Sequence, residues 1–223
     1  MIDPLTLGLL FALGTWSALD GSSVGQFMIS RPMVSATLAG CVLSDPATGL
    51  LVGVLLEGVH LGELPVGGVR LPEPGPAGIP AAVIAIQHPG SGGIAVAVGF
   101  GVLWSLFGGQ TVFIQRRVNG LLVRIRPGRT GRSDRLERAH WACVSIDALR
   151  GCAVTAAGVA TAFLLPPSWI ARWPLGQGST VALLALPGLL ASGSILRSWV
   201  SNRRRHALFL MGYGGGLVLA TLL

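Results

Sequence analysis

Ionisable side chains are scarce in this sequence, so each one inside an apolar segment is informative: sixteen arginines, no lysine and nine acids are spread over 223 residues. Glu57, His60 and Glu63 recur at every third position. On a helix, where each residue turns by about 100°, they share one face. An ionisable group at membrane depth is costly unless it meets a polar cavity or a partner, so Glu57 and His60 are candidates to face a ligand. Glu63, near Pro65, suits a supporting place at the segment's end. Asp20, Gln26 and Arg31 form a second polar group on the glycine- and serine-rich link after the first apolar run. Carboxylates and amides hydrogen-bond well to hydroxyl-rich ligands, which makes a sugar the natural candidate. The set expected to bind it is Glu57, His60, Gln26 and Glu73, with Asp20, Arg31, Asp45 and Glu63 as structural support. An equally good reading has Arg31 paired with Asp20 or Asp45 to hold the loop. Asp45, directly before Pro46, fits a helix-start device.

No catalytic residue is indicated. The chain has no Gly-x-x-x-x-Gly-Lys loop, no His-Glu-x-x-His and no Gly-x-Ser-x-Gly. Its four histidines are far apart, and Cys41, Cys143 and Cys152 form no Cys-x-x-Cys pair. Neither a metal site nor a cofactor is expected.

The elements that must position these residues are membrane helices. A hydrophobic content of 51%, a charged content of 11% and a mean hydropathy of +0.68 exclude a water-soluble domain. In the C-terminal half, Gly92–Ile114, Gly151–Ile170, Trp173–Leu196 and His206–Leu223 are free of formal charge and of membrane-spanning length, which predicts about four full transmembrane helices. In the N-terminal half the apolar runs are short and broken by glycine, proline and acids, as in discontinuous or re-entrant helices. Irregular backbone survives at that depth only inside protein or around a cavity, so the substrate site is expected there. The fold class is therefore an all-α integral membrane protein. Its expected division is a transport half at 1–115, a basic cytoplasmic loop with a helix start at 116–150, and C-terminal transmembrane helices at 151–223.

Arginines clustered between Arg116 and Arg150 and in Arg203-Arg204-Arg205 follow the positive-inside pattern, with the tryptophan-bearing turn Pro166–Pro174 outside. No aromatic residues interleave with them as a nucleic-acid stacking platform requires, so anionic lipid or a cytoplasmic protein is the expected partner. The acid Asp3 replaces the positive charge of a secretory leader, and the first apolar run is expected to stay in the protein. The pairs Gly49 and Gly53, Gly58 and Gly62, and Gly212 and Gly216 provide small faces for close helix contact.

Several motifs then fall into a familiar order: Gln26-Phe27-Met28-Ile29-Ser30-Arg31-Pro32, Leu43-Ser44-Asp45-Pro46-Ala47-Thr48-Gly49, Gly53-Val54-Leu55-Leu56-Glu57 and Leu61-Gly62-Glu63-Leu64-Pro65. This stretch resembles the N-terminal signature of the mannose/fructose/sorbose-type enzyme IIC subunits of the bacterial sugar phosphotransferase system. The family's Leu-Gly-Asp stands here as Leu43-Ser44-Asp45. The resemblance implies a permease subunit in the inner membrane that works with an enzyme IID membrane subunit to pass a hexose inward. Cytoplasmic enzyme IIA and IIB subunits then phosphorylate the sugar, and the phospho-histidine lies on them. Two other readings remain open: a solitary, non-transporting membrane protein that recruits a cytoplasmic regulator through its arginine-rich loop, and an unrelated small-solute channel.

Overall fold

The computed structural model describes residues 3–63, 70–123 and 132–198, with Ala207 and Met211 beyond them. The described residues form eight helices and no strands. In chain order they are α1 (Pro4–Ser22), α2 (Pro32–Val42), α3 (Pro46–His60), α4 (Pro74–Gln87), α5 (Ser91–Leu122), α6 (Arg132–Leu164), α7 (Pro167–Ala171) and α8 (Gln177–Ser198). Proline starts five of them, at Pro4, Pro32, Pro46, Pro74 and Pro167. At a first helical position its fixed φ is already right and its missing N–H would have no partner anyway.

Three helical stretches are long and apolar enough to cross a membrane: Ser91–Leu122, Leu136–Leu164 and Gln177–Leu196. Two of them exceed the sequence expectation. α5 runs past Ile114 through Arg116 and Arg117, and α6 starts at Arg132 rather than at Gly151. Much of the stretch 116–150 is therefore helix, because arginine is a good helix former and nothing after Arg132 breaks the pattern. α6 also stops at Leu164, before Pro166 and Pro167, instead of reaching Ile170. The expected span His206–Leu223 lies outside the described residues.

The broken N-terminal segments fold around α4. From Gly75 to Ala85 every residue of α4 is buried, and the helix touches α1, α2, α3, α5 and α6. Its 14 residues cover roughly 21 Å, less than the ~30 Å apolar layer. At least one end of α4 thus stops short of a membrane surface, and Pro80 in its middle leaves a further carbonyl without its helical partner. Burial within protein is what makes this tolerable.

α2 and α3 form a tight hairpin. A Cβ on Gly53 would sit 2.8 Å from Met33 Cα and Pro32 O, so only glycine allows this approach. One on Gly58 would sit 2.8 Å from Pro187 O of α8, so the second small face serves a different neighbour. Between α2 and α3, Asp45 N–H donates to Gly40 O (2.8 Å) and Ser44 N–H to Cys41 O (3.2 Å), which is a complete Schellman stop. It places Ser44 at φ 62°, where a side chain is strained. Asp45 then starts α3 by accepting from Thr48 N–H (3.0 Å).

Ser44→Gly is expected to stabilise the hairpin by about 0.5–1 kcal/mol, the left-handed strain of serine less the greater unfolded freedom of glycine. Thermal unfolding in mild detergent checks this; an unchanged or lower Tm contradicts the strain at Ser44.

Candidate functional site

Asp20, near the end of α1, is 1% exposed. It accepts from the N–H groups of Phe27 and Ser30 and from the Ser30 hydroxyl, the two Ser30 bonds being 2.9 Å. Its carboxylate ties down the link to α2, where Gly25, Gln26 and Met28 all adopt left-handed φ. Gln26 is exposed on that link. Arg31 pairs with neither Asp20 nor Asp45. Its guanidinium lies 2.5 Å from Glu57, because the hairpin sets the start of α2 beside the last turns of α3. Glu57 also accepts from Met33 N–H (3.4 Å), so a carboxylate from α3 sits at the N-terminus of α2, where negative charge is favourable.

One turn on, His60 donates from Nδ1 to Glu63 (2.9 Å), and its Nε2 lies 3.3 Å from the Ser105 hydroxyl of α5. Ser105 is a bridge. Its carbonyl accepts from Glu73 N–H (2.8 Å), which connects the Glu57 and His60 face of α3 to the start of α4.

Glu73 immediately precedes α4, and its carboxylate meets Arg150 of α6 in a two-pronged pair with both N–O distances 2.6 Å. Such a fork fixes orientation as well as charge. The Arg150 side chain is 9% exposed, and it also donates to Gln115 (2.7 Å), Thr111 (3.0 Å) and Asp147 (2.9 Å). Asp147, fully buried, accepts from the hydroxyls of Ser22 and Ser23 at the end of α1. This network joins α1, α4, α5 and α6. Gly108 makes room for it, since a Cβ there would come within 3.0 Å of the Glu73 carboxylate.

The network forms one wall of a cavity of about 250 Å³, lined by Ser17, Ser22, Ser30, Arg70, Glu73 and Arg116 among others. At the far end of α4 an open recess is bordered by Gln87, His88 and Trp173. Of the four residues expected to bind substrate, Glu73 lines the cavity. His60 reaches it only through Ser105, Glu57 is paired with Arg31 away from its wall, and Gln26 does not belong to its wall. Among the described residues no group of three His, Cys, Asp or Glu side chains is placed to hold a metal ion.

Arg150 and Asp147 were not singled out from the sequence, where Arg150 counts among the cytoplasmic arginines. A signal was present: the two stand three apart, Arg150 is twelve residues beyond Arg138, and it directly abuts the charge-free run at Gly151. An isolated acid and arginine at helical spacing inside apolar sequence describe a buried pair better than a solvated loop.

A short helix buried from Gly75 to Ala85, with a polar cavity at its start and two membrane-spanning helices among its neighbours, defines a polytopic membrane protein of the transporter type. The family model of the sorbose-specific IIC component of the PTS matches residues 4–171, and the chain belongs to that family. The mannose-specific EIIC component of Escherichia coli K12 is 33% identical over 99 residues, 44% of this chain and 37% of that protein. N-acetylgalactosamine permease IIC component 1 of the same strain is 41% identical over 78 residues, 34% of this chain and 28% of that protein. The sorbose-specific EIIC component of Klebsiella pneumoniae is 33% identical over 78 residues, 35% of this chain and 29% of that protein. The matched stretches thus span less than two-fifths of these relatives' own length. The fold is shared more widely. A solved membrane protein superposes with a TM-score of 0.68 at 20% identity, over 99% of this chain and 88% of its own. A structure of the mannose transporter ManYZ complexed with a microcin superposes with 0.62 at 21% identity, over 100% and 88%.

Asp20→Asn is expected to cost roughly 1–3 kcal/mol, since a buried acceptor of three hydrogen bonds is weakened, whereas Arg31→Gln, at an exposed pair, is expected to cost under about 1 kcal/mol. Unfolding of both variants in detergent checks the order; a larger loss from Arg31→Gln contradicts it.

Proposed function

We propose that this chain is a permease subunit that moves a hexose of the mannose, fructose or sorbose class inward, together with an enzyme IID-type membrane subunit. Cytoplasmic enzyme IIA and IIB-type subunits phosphorylate the sugar, and the chain has no catalytic centre of its own. The observation that carries this reading is the polar cavity at the start of the buried helix α4, with the Glu73 carboxylate fixed in its wall by Arg150. In this reading Glu73 accepts from sugar hydroxyls. His60 positions it through Ser105, and Glu57 and Gln26 meet substrate outside the cavity. Family membership and the names of the mannose, sorbose and N-acetylgalactosamine relatives support the substrate class. The arginine-bearing ends of α5 and α6 face the cytoplasm, by the positive-inside pattern. The transport unit then extends beyond 1–115 to Arg150, inside the span from Leu136, with the stretch from Arg116 up to that span as the cytoplasmic end and 151–223 as membrane framework.

A second reading draws on the exposed Arg116 and Arg117, which extend with α5 as a basic surface suited to an acidic cytoplasmic protein or anionic lipid. Uptake of labelled mannose, sorbose and N-acetylgalactosamine separates the two, measured in cells lacking their own hexose permeases and supplied with enzyme IID-, IIA- and IIB-type subunits. The permease reading expects uptake of one of these sugars. It also expects a loss of at least about tenfold, the effect of one charge-assisted hydrogen bond, in both Glu73→Gln and the cavity-filling Val112→Trp, each at wild-type membrane level. No uptake by the unaltered protein favours the recruiting role, and full uptake by both variants moves the sugar site elsewhere.

A further inference from the structure

The cavity beside Glu73 contains more positive charge than a neutral sugar requires. Arg70 and Arg116 both line it, and Glu73, the one carboxylate in its wall, has both oxygens engaged by Arg150. Neither Arg70 nor Arg116 forms an ion pair with any described carboxylate. Arg70 is held over the ring of Phe113 at 4.0 Å, one helical turn from Arg116 on α5. The start of α4 adds few donors of its own, because Pro72, Pro74 and Pro76 have no N–H. An anion in this cavity therefore depends on the two guanidinium groups, whose forked donors match phosphoryl oxygens.

The hydroxyls of the wall have the opposite character. Ser22 donates to the Asp147 carboxylate and Ser30 to Asp20 (2.9 Å). With their protons engaged, these oxygens offer lone pairs, which accept from hydroxyl groups of a ligand. Donors for an anion and acceptors for a polyol thus meet in one cavity of about 250 Å³.

We propose that the cavity binds a hexose phosphate, with its phosphoryl group on Arg70 and Arg116 and its sugar hydroxyls donating to Ser22 and Ser30. The inference rests on the permease reading for the source of the ligand: phosphotransfer at this end of the protein produces a hexose phosphate. A lipid headgroup offers the same phosphoryl chemistry without the polyol.

The test uses the full chain, purified with an enzyme IID-type subunit into nanodiscs of zwitterionic lipid. Mannose, sorbose and N-acetylgalactosamine are titrated alongside their phosphate esters. The ester of at least one sugar is expected to bind about tenfold more tightly than the parent, the effect of a charge-assisted hydrogen bond. The double variant Arg70→Gln/Arg116→Gln is expected to lose that preference, ester and parent then binding alike; both positions are exposed, so the fold tolerates the change. Equal binding of ester and parent overturns the proposal and leaves the permease reading intact. Preference for the ester in a protein that supports no hexose uptake sustains the phosphate site and removes the permease reading. Titration with phosphatidylglycerol tests the other source: arginine-dependent lipid binding without any ester preference overturns the proposal in favour of a headgroup site.

Discussion

The buried pair of Glu73 and Arg150 is the interaction on which this architecture turns. A helix of 14 residues, too short to reach both membrane surfaces, needs its starting point fixed by something other than the lipid interface. Glu73, directly before the first turn, supplies that point, and Arg150 holds it from α6. A single arginine at membrane depth is unfavourable by roughly 2.5–3.5 kcal/mol or more, which explains why every donor of Arg150 is engaged. Gln115, Thr111 and Asp147 complete the shell, and Asp147 passes the constraint on to Ser22 and Ser23 of α1. Partial satisfaction would make the same network a liability, since a buried pair missing one member leaves an uncompensated charge.

Backbone chemistry works in the same direction. Prolines set the starts of the short helices, and glycines let them approach so closely that interrupted segments bury one another. Gly108 shows the two levels meeting, because the same missing Cβ that brings α5 against the loop before α4 leaves space for the Glu73 carboxylate.

Much of the fold was legible in the residue pattern. Charge-free runs of spanning length marked α5, the later part of α6 and α8, and proline-punctuated short runs marked α1 to α4. What the pattern concealed was helix extension through charged sequence, because an arginine-rich segment reads as a loop when only hydropathy is followed. The polar groups of the site were legible individually, but their pairing was not. Glu57 belongs with Arg31 and Glu73 with Arg150, at separations of 26 and 77 residues, and no local spacing encodes contacts of that range. Ser44 is the reverse case: the departure from Leu-Gly-Asp was visible as a substitution, and its meaning, a left-handed residue at a helix stop, required the backbone.

The most direct measurement is a double-mutant cycle on Glu73→Gln and Arg150→Gln, with unfolding free energies determined by denaturant titration in detergent. If the pair anchors α4, each single change destabilises by roughly 3–5 kcal/mol. The double variant then loses less than the sum, by a coupling of about 1–3 kcal/mol. Single changes with small effects that simply add would show that α4 is held by apolar packing alone, and the central role given to this pair would be wrong.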